Sequence, residues 1–108
     1  FSYAYFGETL LSGAVDRGAR FLRAYLRGAR EFAEGRTPRF MVEYAKSNNL
    51  PVAETVAACR DTFALDGAIN LESLRLVSDW SYKKKYISRL PEVSELVDER
   101  FLRRAHAS

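Results

Sequence analysis

The sequence has one cysteine, one histidine, one methionine and one tryptophan, which is thin material for several kinds of chemistry. A single Cys59 cannot close an internal disulfide, and with His106 as the only imidazole neither a metal cluster nor a thiol–imidazole pair can be assembled. No glycine-rich dinucleotide loop, phosphate-binding loop or nucleophile elbow occurs. No catalytic residue, no metal ligand and no cofactor is therefore assigned, and the chain is not expected to be an enzyme. Long apolar runs are also missing: nothing approaches the roughly 18 residues that a membrane-spanning helix needs. Seventeen Lys and Arg against 14 Asp and Glu leave a net charge of +3, too mild to demand a polyanion, so no nucleic-acid partner is expected.

What remains has the makeup of a globular chain, 47% hydrophobic and 29% charged. It opens at Phe1 without an initiator Met, inside a run of aromatic and small residues that reads as a strand over residues 2 to 6. A fragment of a longer protein is expected, and the unpaired edge of such a strand predicts self-association of the fragment through residues 1 to 11. From Val15 the period changes. Val15, Ala19, Leu22, Leu26, Ala29 and Ala33 fall on one face of a helix over about 15–34, with Asp16 near its positive end and Gly35 as its stop. Thr37-Pro38 predicts the start of a second helix, 38–47, with Thr37 as hydroxyl cap and Phe40, Met41 and Tyr44 as its apolar face. Pro51 opens a third, 52–60, carrying Val52, Val56 and Cys59 on one side, so Cys59 is expected to be a buried thiol. Asn70 caps a fourth over 71–86, packed through Leu71, Leu74 and Val77, and a last helical element is expected over 92–104. The fold class is thus mainly α with one short strand, in a single unit spanning 1–108.

Four features could carry function. Arg20, Arg23, Arg27 and Arg30 lie within an arc of about 80° on the first long helix. Such a stripe suits a solvated face, a docking surface for a partner protein or, less well, nucleic acid. Lys83-Lys84-Lys85 forms a second basic run at a helix end, where cations complement the dipole. Gly18 and Gly28 each weaken the long helix by roughly 1 kcal/mol relative to Ala, so close approach of another element is expected at both. Tyr3 and Tyr5 alternate with Ala4 and Phe6 along the expected strand; they suit either a core position under Leu22 and Leu26 or a ligand cleft.

Three stretches carry a resemblance. Arg20-Phe21-Leu22-Arg23-Ala24-Tyr25-Leu26-Arg27-Gly28-Ala29-Arg30 looks like the "RF-x-RAYL-x-G" helix of periplasmic solute-binding proteins of the nitrate, sulfonate, taurine and thiamine-precursor group. Ahead of it, Tyr3-Ala4-Tyr5 and Glu8-Thr9-Leu10-Leu11 stand where that family has its aromatic crossover strand and the short segment after it. Towards the end, Leu90-Pro91-Glu92-Val93 through Val97-Asp98 and Phe101-Leu102 resembles its closing pattern. Two positions differ: Ser12-Gly13-Ala14 replaces a Pro-containing string, and Tyr86-Ile87 replaces a Gly turn. The resemblance implies the helical C-terminal segment of a two-lobed α/β binding protein that delivers a small solute to the permease of an ABC-type importer, in the periplasm or membrane-anchored outside the cell. It implies Tyr3 and Tyr5 as ligand-binding residues beside the hinge; for Arg20, Arg23, Arg27 and Arg30 the solvated face stays the simpler reading and a docking surface the alternative. The alternatives are a thiamine pyrimidine-precursor synthase of the same superfold and a free-standing helical interaction module.

Overall fold

The structure, a computed structural model, describes residues 4–59 and 62–107. It is mainly helical, with seven helices among those residues: α1 (Glu8–Leu11), α2 (Val15–Ala33), α3 (Pro38–Ser47), α4 (Val52–Ala57), α5 (Leu71–Lys83), α6 (Val93–Leu96) and α7 (Arg100–His106). The chain divides into two compact units, one made of residues 1–23 and 68–108, the other of 24–67.

The expected strand is a correction. Ala4, Tyr5 and Phe6 have irregular backbone, and no strand occurs among the described residues; Ser2 and Tyr3 lie outside them. A strand is stable only where its backbone N–H and C=O groups meet a neighbouring ladder, and the described residues offer no neighbouring strand.

Helix ends follow their local chemistry. In three places the chain leaves a helix through one residue with positive φ: Gly35 (71°) after α2, Asn49 (53°) after α3 and Lys85 (60°) after α5. At each, the next residue's N–H reaches back five positions, Arg36 to Glu31 at 2.8 Å, Leu50 to Ala45 at 2.8 Å and Tyr86 to Ser81 at 2.9 Å. These bonds satisfy carbonyls that the helix end would otherwise leave unpaired. The fourth helix therefore closes at Lys83, short of the expected residue 86. Asn70 caps α5 as expected, its side-chain oxygen accepting from the Ser73 N–H at 3.0 Å. Thr37 does not cap α3: its hydroxyl oxygen is buried without a hydrogen-bond partner, although Pro38 does take the first helical position.

The element expected over 92–104 is two helices. Val97 is extended (φ −123°, ψ 121°), and Asp98 then accepts from the Arg100 N–H at 3.1 Å, a local side-chain turn that ends one helix and starts the next. α4 likewise stops at Ala57, with Ala58 extended, so Cys59 leaves the Val52–Val56 face and is exposed rather than buried.

In the second unit Leu26, Ala29, Met41 and Ala45 are buried, and α3 packs against α4. Met41 and Ala45, one turn apart, form the inward side of α3; Phe40 and Tyr44, expected there, are exposed and lie tilted against each other at 6.2 Å. The loop after α4 returns to α2 through an edge-to-face contact of Phe63 with Phe32 (5.8 Å) and a hydrogen bond from the Arg30 guanidinium to the Leu65 carbonyl (3.2 Å). In the first unit Ala19, Phe101 and Ala105 are buried.

Candidate functional site

The first unit is organised around the place where its two chain segments meet. Phe101, on the first turn of α7 and only 2% exposed, sets its ring edge-on to Phe6 with centroids 5.0 Å apart. Phe6 is in turn edge-on to Phe21 of α2 at 5.7 Å. Such T-shaped pairs place the positive edge of one ring on the negative face of the next, worth about 0.5–1.5 kcal/mol beyond burial. Gly18 makes the arrangement possible. A Cβ there would lie 2.8 Å from Phe101 Cε1 and 3.0 Å from Phe6 Cε2, so only a residue without a side chain lets the rings reach the helix backbone. Gly28 differs: nothing lies within 4 Å of its Cβ position, and the expected close approach is absent.

One carboxylate–guanidinium pair ties the same segments together, and two more brace the closing segment locally. Arg104 of α7 donates to Asp16 of α2 at 2.6 Å, bridging 88 residues of chain. This bond, reinforced by the charges of Arg104, Arg20 and Arg23, keeps the Asp16 carboxyl below its ordinary value. Arg100 grips Asp98 through two nitrogens (2.7 and 3.0 Å) while its guanidinium carbon stands 5.5 Å from the Phe101 ring centre. The Asp98 carboxyl is lowered chiefly by that Arg100 hydrogen bond. Arg89 forks onto both oxygens of Glu95 (2.7 and 2.9 Å), and Glu95 also accepts the Glu92 N–H at 2.7 Å. Together they lower the Glu95 pKa to about 2. The signal for the last pair was in the sequence, since Glu three residues after a helix cap reaches back to the cap's N–H. The Phe6–Phe21–Phe101 junction had only one sequence clue, the glycine at position 18.

Of the expected site residues, Tyr5 stands 86% exposed immediately before Phe6, and Tyr3 lies outside the described residues. Tyr5 does not pack under the long helix. Its phenol is available to stack on an apolar group or to donate to an anion. The arginines divide by unit. Arg20 is exposed and Arg23 half-buried in the first, whereas Arg27 and Arg30 are exposed in the second, Arg30 being committed to Leu65. Among the described residues no helix is long and apolar enough to cross a membrane.

The chain matches no protein-family model, no curated protein and no solved structure.

Proposed function

We propose that this chain is the C-terminal part of the substrate-binding component of an ABC-type importer, which binds a small anionic or heterocyclic solute and presents it to a membrane permease. The observation that supports the reading is that two of its resembling stretches meet on Phe6, the residue that follows the aromatic string. Phe21 lies in the resembling helix string and Phe101 in the closing pattern; both pack on Phe6, and Gly18, ahead of that string in the same helix, leaves room for the rings. A contact that joins the helix string to the closing pattern gives a physical reason for their occurring together. Tyr5, next in sequence to Phe6 and open to solvent, is the residue offered to the solute, and Tyr3 is proposed to act with it. Arg20 and Arg23 in the first unit, and Arg27 and Arg30 in the second, are the residues offered to the permease.

The reading requires a two-lobed parent, a periplasmic or externally anchored location and most of the solute contacts in the other lobe. Its test begins with the coding sequence upstream of Phe1, which should encode an export leader and an α/β lobe. The full-length protein is then screened by thermal shift against small sulfonates, nitrate-like anions and pyrimidines. A stabilising solute whose effect falls in Tyr5→Ala is the expected result. A full-length protein with no second lobe overturns the reading, and solute binding indifferent to Tyr3→Ala and Tyr5→Ala removes both tyrosines from the site.

A further inference from the structure

α5 carries apolar residues on two opposite sides. Leu71, Leu74, Ser78 and Ser81 are half-buried and form its packed face, where the Ser78 hydroxyl donates to the Leu74 carbonyl at 2.9 Å. Leu76 and Trp80 follow Leu74 and Ser78 by two residues each, about 200° further round the helix at 100° per residue, and so point away from that face. Leu76 is 64% exposed and Trp80 52%, and Tyr86, 69% exposed, rests edge-on against Trp80 at 5.3 Å to widen the patch. Large side chains adjacent on an outer helix face mark an interaction surface more than a single exposed leucine does.

The charges bordering this patch say what covers it. Glu72 lies one turn before Leu76 and Lys83 three residues after Trp80, both displaced by about 40–60° to the same side of the apolar pair. Among the described residues neither takes part in an ion pair. The midpoint of 76 and 80 is 78, and the midpoint of 72 and 83 is 77.5, so the apolar pair and the charge pair share one centre. A two-fold axis through that centre, perpendicular to the helix, turns α5 end for end and leaves each side of the stripe on its own side. Leu76 then meets Trp80 of the other copy, and Glu72 meets Lys83 of the other copy, each contact occurring twice. A surface complementary to itself under a two-fold rotation is what an isologous dimer requires. An acidic or a basic partner would satisfy only one of the two charges.

We infer that the outer face of α5 is an antiparallel, two-fold interface between two copies of this chain, built on Leu76 and Trp80 and set in register by Glu72 and Lys83. The inference is independent of the proposed transport role. It also locates self-association away from residues 1 to 11.

Sedimentation equilibrium on the chain and its variants tests it, with circular dichroism to confirm unchanged helicity. A monomer–dimer equilibrium is expected for the natural sequence, and Leu76→Asp, a change at an exposed position, should leave only monomer. Each of Glu72→Lys and Lys83→Glu places like charges together twice per dimer and should raise the dissociation constant about tenfold or more. The double reversal Glu72→Lys with Lys83→Glu should bring it back to within about threefold of the natural value, because both pairs are restored with opposite polarity. A chain that stays monomeric at 100 µM-scale loading, roughly the strength expected of a weak specific dimer, overturns the inference. So does a dimer that survives Leu76→Asp, or reversals whose effects add rather than cancel.

Discussion

Gly18 and Gly28 belong to the same helix, look alike in sequence and sit in opposite surroundings. Gly18, in the first unit, is buried beneath two aromatic rings that come from outside α2, whereas Gly28, in the second, faces open space. The contrast extends to the units themselves. The first is held by contacts between distant parts of the chain: Phe6 with Phe101, and Asp16 with Arg104. The second is held over shorter spans: Arg30 to the Leu65 carbonyl 35 residues on, Phe32 against Phe63, the turns at Gly35 and Asn49, α3 against α4, and the Arg39–Glu43 pair one turn apart. Damage to a single side chain should therefore spread further in the first unit than in the second.

The most severe test is Phe101→Ala. Removing the ring leaves a cavity between Gly18 and Phe6, and a loss of about 3–5 kcal/mol in urea unfolding is expected, as for other buried aromatic truncations. A loss below 1 kcal/mol would mean that the junction does not hold the first unit together. Gly18→Ala comes next. The new methyl meets rings that cannot fold away, so a loss of about 1–3 kcal/mol should outweigh the helix propensity gained.

Thr37→Val probes the second unit in the other direction. It keeps the shape and removes a buried hydroxyl that has no partner, with an expected gain of about 1 kcal/mol by the same unfolding measurement. Gly28→Ala should also stabilise, by about 0.5–1 kcal/mol, since it adds helix propensity and touches nothing. Gly18→Ala and Gly28→Ala with effects of the same sign would erase the comparison.

Acid gives the gentlest discrimination. Glu95, Asp16 and Asp98, all in the first unit, have carboxyls held below their unfolded values by arginines. A carboxylate whose pKa is depressed on folding contributes stability above its unfolded pKa and loses it as protons bind the folded form. For Glu95 that contribution is complete above 4.5 and disappears as the pH falls towards about 2. Unfolding curves at a series of pH values should show the first unit weakening over this window. Glu95→Gln should flatten its share of the slope, and an unchanged profile in that variant would exclude the Arg89–Glu95 fork as a contributor.

Much of the fold could be read one residue at a time. The period of α2, the Pro38 start, the Asn70 cap and the helix stops at Gly35 and Asn49 depend on neighbours within a turn or so, which is why sequence alone locates them. Lys85 was less legible, because a residue with a Cβ seldom adopts positive φ and nothing about Lys announces it. The candidate site was legible only as motifs. Phe21 and Phe101 are conspicuous in the resembling stretches, but their connection through Phe6 and Gly18 is a matter of chain crossing and ring geometry.

The sequence by itself determined the helical class, the starts of α2, α3, α4 and α5 and the ends of α2 and α3, because each rests on residue type and local spacing. Only the tertiary structure decided which apolar residues are covered. It separated Met41 and Ala45 from Phe40 and Tyr44, turned Leu76 and Trp80 outward, exposed Cys59, and made one of two glycines indispensable. Hydrophobic periodicity says that a face is apolar, but burial requires a second surface to meet it, and that surface comes from parts of the chain that no local pattern connects.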